Sequence, residues 1–265
     1  MTLLVGICCD NGIVLAADQQ ASRSTIGALT VGSSVIKISE IKDKKALFGF
    51  SGFTGLGHQI ETAIESTLDL TQTHSHAVGG LQVAVRGVIL PAMQMANVAR
   101  TLLPNAQTEA ICGGFLAAHF ADGLQLFEFS PQGAFDPIKM MKWACIGSGQ
   151  PNADPFMAFL WNVFWEDREP TLQEAIFTAY WATKTTIDSR TFGVGYSADV
   201  FVLSETDGTF GTRQLSRPEL EEMADFIQSA KSSMREFRDQ LVPTPQTEAA
   251  DKSDEPPVMS DPEEP

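Results

Sequence analysis

Thr2-Leu3-Leu4-Val5-Gly6-Ile7-Cys8-Cys9, then Asp10-Asn11-Gly12, then Ile13-Val14-Leu15-Ala16-Ala17-Asp18, is the stretch that decides the fold. Two β-rich runs flank a cluster of turn formers, so they read as a hairpin. Its first strand opens on a threonine. Methionine is readily trimmed before a small residue, so Thr2 can become the N-terminus. A free N-terminal Thr carries a nucleophile and a base on one residue: the hydroxyl attacks and the α-amine takes its proton. That amine has an unperturbed pKa of about 7.7–8.0, close to working pH. Alone, Thr2 reads as the start of an ordinary strand; the rest of the chain overturns that reading.

Composition sets the outer bounds. The 265 residues are 43% hydrophobic and include 17 Phe, enough for one large domain with a sizeable core. Cys8, Cys9, Cys112 and Cys145 form no CxxC pair and no metal-ligand spacing, so they read as reduced core residues of a cytoplasmic protein. No basic region precedes the first apolar run, which Asp10-Asn11-Gly12 interrupts early, so no signal peptide is expected. No uninterrupted apolar stretch reaches the roughly 18 residues of a membrane span. A net charge of −15 argues against nucleic acid as a partner.

The charge is concentrated at the end. Residues 243–265 hold seven acids and one base, Lys252, in a proline-rich context with almost no large apolar side chains. Such a segment buries too little surface to offset its ordering entropy. The expected organisation is therefore one folded domain over residues 1–242 and an acidic tail over 243–265, disordered or docked as an extended strap.

Within the folded part, residues 28–38 and 45–51 read as further strands. A helix is expected from Gly52 to about Leu70, with Leu56, Ile60, Ile64 and Leu68 spaced by four. A second helix covers 78–101. Strands follow at 110–119, 123–130 and 142–146, then helices at 155–165 and 172–186. Thr171 and Glu174 form a capping box for the latter. Strands at 200–204 and 209–215 precede a last helix over 218–241, with Pro218 in its first turn. His74 and His76 could suggest a metal pair; they read better as a polar interhelix loop. This order suits an α+β fold: a four-layer αββα sandwich of two stacked antiparallel sheets.

Four motifs in order resemble the proteasome β-type subunits of the N-terminal-nucleophile hydrolase family, in particular the bacterial forms related to HslV. Thr2, Val5-Gly6 and Ala16-Ala17-Asp18 keep the family's opening spacing. Lys37-Ile38-Ser39-Glu40-Ile41 resembles the run at its catalytic lysine. Gly49-Phe50-Ser51-Gly52 resembles the strand end before its first central helix, and Ile146-Gly147-Ser148-Gly149 the later Gly-Ser-Gly. Asp18 to Lys37 is three residues longer than the family's interval, which an insertion in a Gln20–Ser34 hairpin would absorb. A gapless reading would instead put Ser34 at the lysine position. The family's Asp-x-x-Ser is blurred: Asp188-Ser189-Arg190-Thr191 lies nearby, with neither of its two residues fixed.

The resemblance implies these roles. Thr2 attacks; Asp18 orients Lys37; Lys37 stabilises the developing alkoxide; Ser148 positions the N-terminal amine; the Gly52 N–H forms the oxyanion hole; Asp188 is the candidate further acid. Ala21, Val35, Phe50 and Thr54 are expected around the pocket for the residue preceding the scissile bond. Phe50 would fill that pocket and favour small or medium apolar residues. No cofactor and no metal are called for. The implied activity is that of a threonine-type endopeptidase, freed by loss of Met1 alone and acting on unfolded polypeptide. The implied partners are copies of the chain, in stacked hexameric or heptameric rings, and an ATP-dependent unfoldase; neither nucleic acid nor a membrane is expected. Two alternatives stay open: an inactive ring-forming homologue, or an amidase acting on small molecules.

Overall fold

The computed structural model describes residues 2–25, 28–102, 111–139, 142–165, 168–191 and 194–241. Residues 2–225 form one compact unit and Phe226 onward a second. The expected acidic tail lies outside the described residues.

The opening hairpin forms as its sequence predicts. β1 (Leu3–Cys9) and β2 (Gly12–Asp18) pair antiparallel, with Leu4 opposite Ala17 and Cys9 opposite Gly12. They are central strands, flanked by β10 (Trp143–Gly147) on one side and β11 (Ala198–Thr206) and β12 (Thr209–Gln214) on the other. Both faces of such strands are covered, which explains their nearly continuous apolar sequence. The second sheet runs β5 (Ile38–Ile41), β6 (Ala46–Gly52), β7 (Cys112–Phe120), β8 (Gly123–Phe129) and β9 (Phe135–Pro137).

The sheets meet through Leu4, Leu15, Ala17, Leu47, Phe115, Ala117 and Leu126. Successive strand residues point to opposite faces, so Phe48 and Phe50 join a different core. There they pack with Leu56, Ile60 and Ile64 of α1 (Thr54–Thr67) and Leu81, Val85 and Ile89 of α2 (His74–Leu102). On the far side, α3 (Gln150–Phe164) packs on β10, and α4 (Leu172–Asp188) covers β1, β2 and β11. The result is an α+β fold of two antiparallel sheets between two helical layers. α5 (Arg217–Leu241) begins in this unit and carries the chain into the second.

Several boundaries differ from expectation, each for a local reason. The 28–38 strand is broken. β4 (Ala28–Ser34) pairs with β3 (Gln20–Thr25) as the Gln20–Ser34 hairpin, and β5 starts anew at Ile38 in the other sheet. α1 starts at Thr54 rather than Gly52, because Gly52 still pairs with Cys112 in the sheet. α2 starts at His74, whose N–H donates to Asp122 Oδ1, so His74 and His76 lie in a helix and not a loop. α3 starts five residues before Pro155, with Pro151 in its first turn. The capping box of α4 is present: Thr171 N–H donates to Glu174 and Glu174 N–H to Thr171 Oγ1. By length and composition α2 is apolar enough to cross a bilayer; here one stripe of it is buried against α1 and the second sheet, while Val83, Met95 and Val98 are exposed.

Phe48 anchors the second core. It is fully buried and stacks on Phe129, 5.6 Å between centroids, and on Phe50 at 6.0 Å. Phe48→Ala is expected to lower unfolding free energy by about 3–5 kcal/mol, the range for a large aromatic removed from a core. Urea denaturation checks this; a loss under about 1 kcal/mol would show that the helical layer is not held here.

Candidate active site

Asp18 is the last residue of β2 and fully buried. Its Oδ1 accepts from Leu3 N–H at 2.8 Å and Lys37 Nζ at 2.7 Å. Its Oδ2 accepts from Gln20 N–H at 3.0 Å and Gly195 N–H at 3.1 Å. Lys37 sits immediately before β5 and is 5% exposed. Burial lowers its pKa, while the negative charges of Asp18 and, less strongly, Asp199 oppose that shift. Ser34, the other candidate for the lysine position, is exposed and donates its hydroxyl to Gln19 Oε1 at 3.0 Å. The longer Asp18-to-Lys37 interval is accounted for by the β3–β4 ribbon.

Thr2 is buried beside this pair along β1. Its backbone N–H donates to Ser148 Oγ at 3.1 Å, and its carbonyl accepts from Gly149 N–H at 3.2 Å and Ser148 Oγ at 3.4 Å. Ser148 follows β10, whose Gly147 pairs with Leu3. Gly147 has φ +100°, and a side chain there would collide with the Thr2 carbonyl. Glycine at this position is therefore what lets Ser148 close on Thr2. Gly52 is similar: at φ +133° it ends β6 against the Ile111 carbonyl, with no room for a Cβ.

Thus Asp18 and Lys37 are in direct contact, as are Thr2 and Ser148, and Leu3 joins the two pairs through Asp18. Asp188 is not part of the cluster. It lies half-exposed in the last turn of α4, where its carboxylate takes Lys184 Nζ at 2.6 Å. The donor on Asp18 Oδ2 nearest that segment is backbone, the Gly195 N–H at 3.1 Å. Of the expected pocket residues, Ala21 pairs with Ser33 in the ribbon, and its side chain lies outside the described residues. Val35 is half-buried and Thr54 exposed. Phe50 is 6% exposed, with its ring against Gly57 and edge-on to His58. It fills the space between β6 and α1 rather than bordering an opening.

Asp199 and Gln19 were missed by the sequence reading. Asp199 is 5% exposed, and its Oδ1 accepts from Gln19 Nε2 at 2.8 Å and Gln214 Nε2 at 3.2 Å. Burial raises its pKa, against the glutamine hydrogen bonds and the charge of Lys37. The signal was present: an acid in register with Phe201 and Leu203 on the apolar face of a strand. Among the described residues, no three His, Cys, Asp or Glu side chains gather as a metal site requires.

Known proteins share this architecture. An ancestral β-subunit, Anbu, from Yersinia bercovieri superposes with a TM-score of 0.64 at 18% identity, covering 88% of this chain and 96% of that one. An Anbu (Gly-1) mutant from Hyphomicrobium sp. strain MC1 gives 0.63 at 14% identity, covering 89% and 97%. A proteasome subunit beta from Methanocaldococcus sp. (strain FS406-22) is 26% identical over 205 residues, 75% of this chain and 80% of its own. The proteasome subunit family itself matches residues 2–195. That span begins on Thr2, ends on the glycine that caps Asp18, and takes in Lys37 and Ser148 between them: the chain belongs to the proteasome subunit family.

Proposed function

We propose that the chain is a threonine-type peptidase that hydrolyses peptide bonds from within a ring of its own copies. The observation that carries this reading is the buried Lys37–Asp18 contact of 2.7 Å in one cluster with Thr2, whose nitrogen meets Ser148 Oγ at 3.1 Å. In the full chain that nitrogen is an amide; loss of Met1 turns it into an amine.

Thr2 Oγ then attacks the scissile carbonyl, and the amine accepts the hydroxyl proton. Lys37, held charged by Asp18, stabilises the oxygen as it becomes nucleophilic. The carbonyl oxygen takes up negative charge beside Gly52, whose N–H is the proposed oxyanion donor. The tetrahedral intermediate collapses, the amine's proton passes to the leaving nitrogen, and an ester remains on Thr2. A water activated by the same amine hydrolyses it. Ser148 keeps the amine directed at Oγ throughout.

Assembly is proposed from membership of the family and from surface chemistry. Val83, Met95 and Val98 on α2 and Phe159 and Val163 on α3 are all about half or more exposed. Such apolar surface suits contact with further copies of the chain. Rings of six or seven, stacked with sites inward, would restrict access to unfolded polypeptide, and an ATP-dependent unfoldase would be the natural feeder.

Two outcomes test the chemistry. Thr2→Ala removes one hydroxyl and should cut peptide turnover by more than about 1,000-fold, with assembly unchanged by native mass spectrometry. An epoxyketone or β-lactone should label Thr2 in wild type, whose intact mass should lack Met1. Near-normal turnover by Thr2→Ala, or an active protein that keeps Met1, rules the mechanism out. Lys37→Met should abolish labelling and, by stranding a buried carboxylate, cost about 3–5 kcal/mol. Adding Asp18→Asn should restore much of that stability and none of the labelling. If Lys37→Met is as stable as wild type, the pair does not hold the site.

A further inference from the structure

Asp199 has a charge that the chemistry above does not use. It stands opposite Ala17 where β11 pairs with β2, one step from the Asp18–Ala198 pair. Residues opposite one another on neighbouring strands share a face. Asp199 therefore continues the inward row of Ala17, Phe201 and Leu203, which face the second sheet. Lys37 enters that space from the other sheet, just ahead of Ile38 in the same core.

The carboxylate is clamped on one side only. Gln19, next in sequence to Asp18, and Gln214 of β12 both donate to Oδ1. Oδ2 is buried and has no hydrogen-bond partner among the described residues. An unpaired buried carboxylate oxygen is costly to keep. The side chain is held in place by Gln19, whose Oε1 accepts from Ser34 and Ser197 and whose backbone N–H and C=O bond Ser197 and Val35.

We infer that Asp199 is a positioning residue, a second negative charge behind Lys37 that keeps the catalytic lysine protonated in its dry site. This rests on the peptidase reading above. Asp18 alone would leave a neutral pair, from which burial favours loss of the lysine proton. A further carboxylate makes the enclosed set net negative and opposes that loss.

The remaining charged groups near Asp199 cancel in pairs. It lines a cavity of about 550 Å³ with Lys184 and Asp188 of α4 and Arg217 and Glu221 of α5. Lys184 bonds Asp188 at 2.6 Å and Arg217 bonds Glu221 at 3.1 Å. Tyr180 and Tyr196 are also in its wall, and burial raises the Tyr180 pKa further from the neutral range. Among the described residues, the cation whose charge acts on Asp199 is Lys37, which is shared with Asp18.

Two variants remove the charge by different routes. Asp199→Asn is isosteric and leaves an oxygen for both glutamines. Gln214→Lys, at an exposed position, leaves Asp199 in place and neutralises it by pairing. The readout is the rate of Thr2 labelling by an irreversible β-lactone, followed by mass spectrometry across pH in assembled particles. In both variants the alkaline limb should move to lower pH by about half to one unit, as expected for a charge removed at intermediate range. That is roughly a 3- to 10-fold slower rate above the limb. The acid limb, set by the Thr2 amine, should move the same way by less. KM for a peptide substrate should stay unchanged. If Asp199→Asn does not assemble, Gln214→Lys decides. Superposable profiles in an assembled variant, or a shift to higher pH, overturn the inference. Absence of Thr2 labelling in wild type at every pH would instead overturn the peptidase reading.

Discussion

The Asp18 carboxylate is the point on which the rest of the site depends. Four donors from four places in the chain converge on it: Leu3 in β1, Gln20 after β2, Lys37 before β5 and Gly195 before β11. Three are backbone N–H groups, and no competing water is needed to satisfy either oxygen. A buried carboxylate without such donors would be costly. With them it becomes a fixed acceptor that sets where the lysine ends and where the first strand begins. Thr2 inherits its position from that constraint, because Leu3 N–H is bound to Asp18 and Thr2 is the residue before it.

The same constraint explains one glycine and one ribbon. Leu3 is held at Asp18 on one edge and pairs with Gly147 on the other. With β1 pinned, β10 reaches Thr2 only if position 147 has no side chain. Ser148 then falls beside the Thr2 nitrogen by register alone. On the other side, the chain must leave β2 at Asp18 in one sheet and enter β5 at Ile38 in the other. The β3–β4 ribbon makes that crossing, and the extra residues between Asp18 and Lys37 are absorbed there without displacing the lysine.

Elements with a strong local signal were legible in the sequence. The Asp10-Asn11-Gly12 hairpin, the four-residue apolar spacing of α1 and the Thr171–Glu174 box all have local causes, and all are present. Thr2, Asp18, Lys37 and Ser148 were singled out through motif order, which carries spacing that no single residue shows, and the structure brings them together around Leu3. What was not legible depends on contacts distant in sequence. Asp188 looked suitable by type and location, yet an exposed lysine four residues earlier on the same helix takes its charge. Asp18 Oδ2 is met by the Gly195 backbone N–H, a donor that no sequence pattern marks. Phe50 was read as a pocket wall; the strand's alternation turns it into the core below α1. Asp199 was passed over because an acid in a strand is ordinarily solvent-facing, and only its register with Phe201 and Leu203 shows otherwise.

The arrangement also accounts for why a lysine bridges the site. Face-to-face sheets pack about 10 Å apart. The acid sits at the end of a strand in one sheet, and the cation must come from the other, where β5 begins. A short side chain could not cross that gap, and an arginine would bring a wider fork with donors that this enclosed space cannot satisfy. Lysine's flexible stem crosses apolar surroundings and delivers a compact charge at its tip. Its reach is fixed by the core between the sheets, where Leu4 and Ile38 meet across Gly49, each about 3.4 Å from where a Cβ at that glycine would stand. A methyl would fit there at ordinary contact distance, but anything larger would have to push the sheets apart and move the lysine along with them. Packing several residues away from Thr2 is therefore part of what sets the distance between charge and nucleophile.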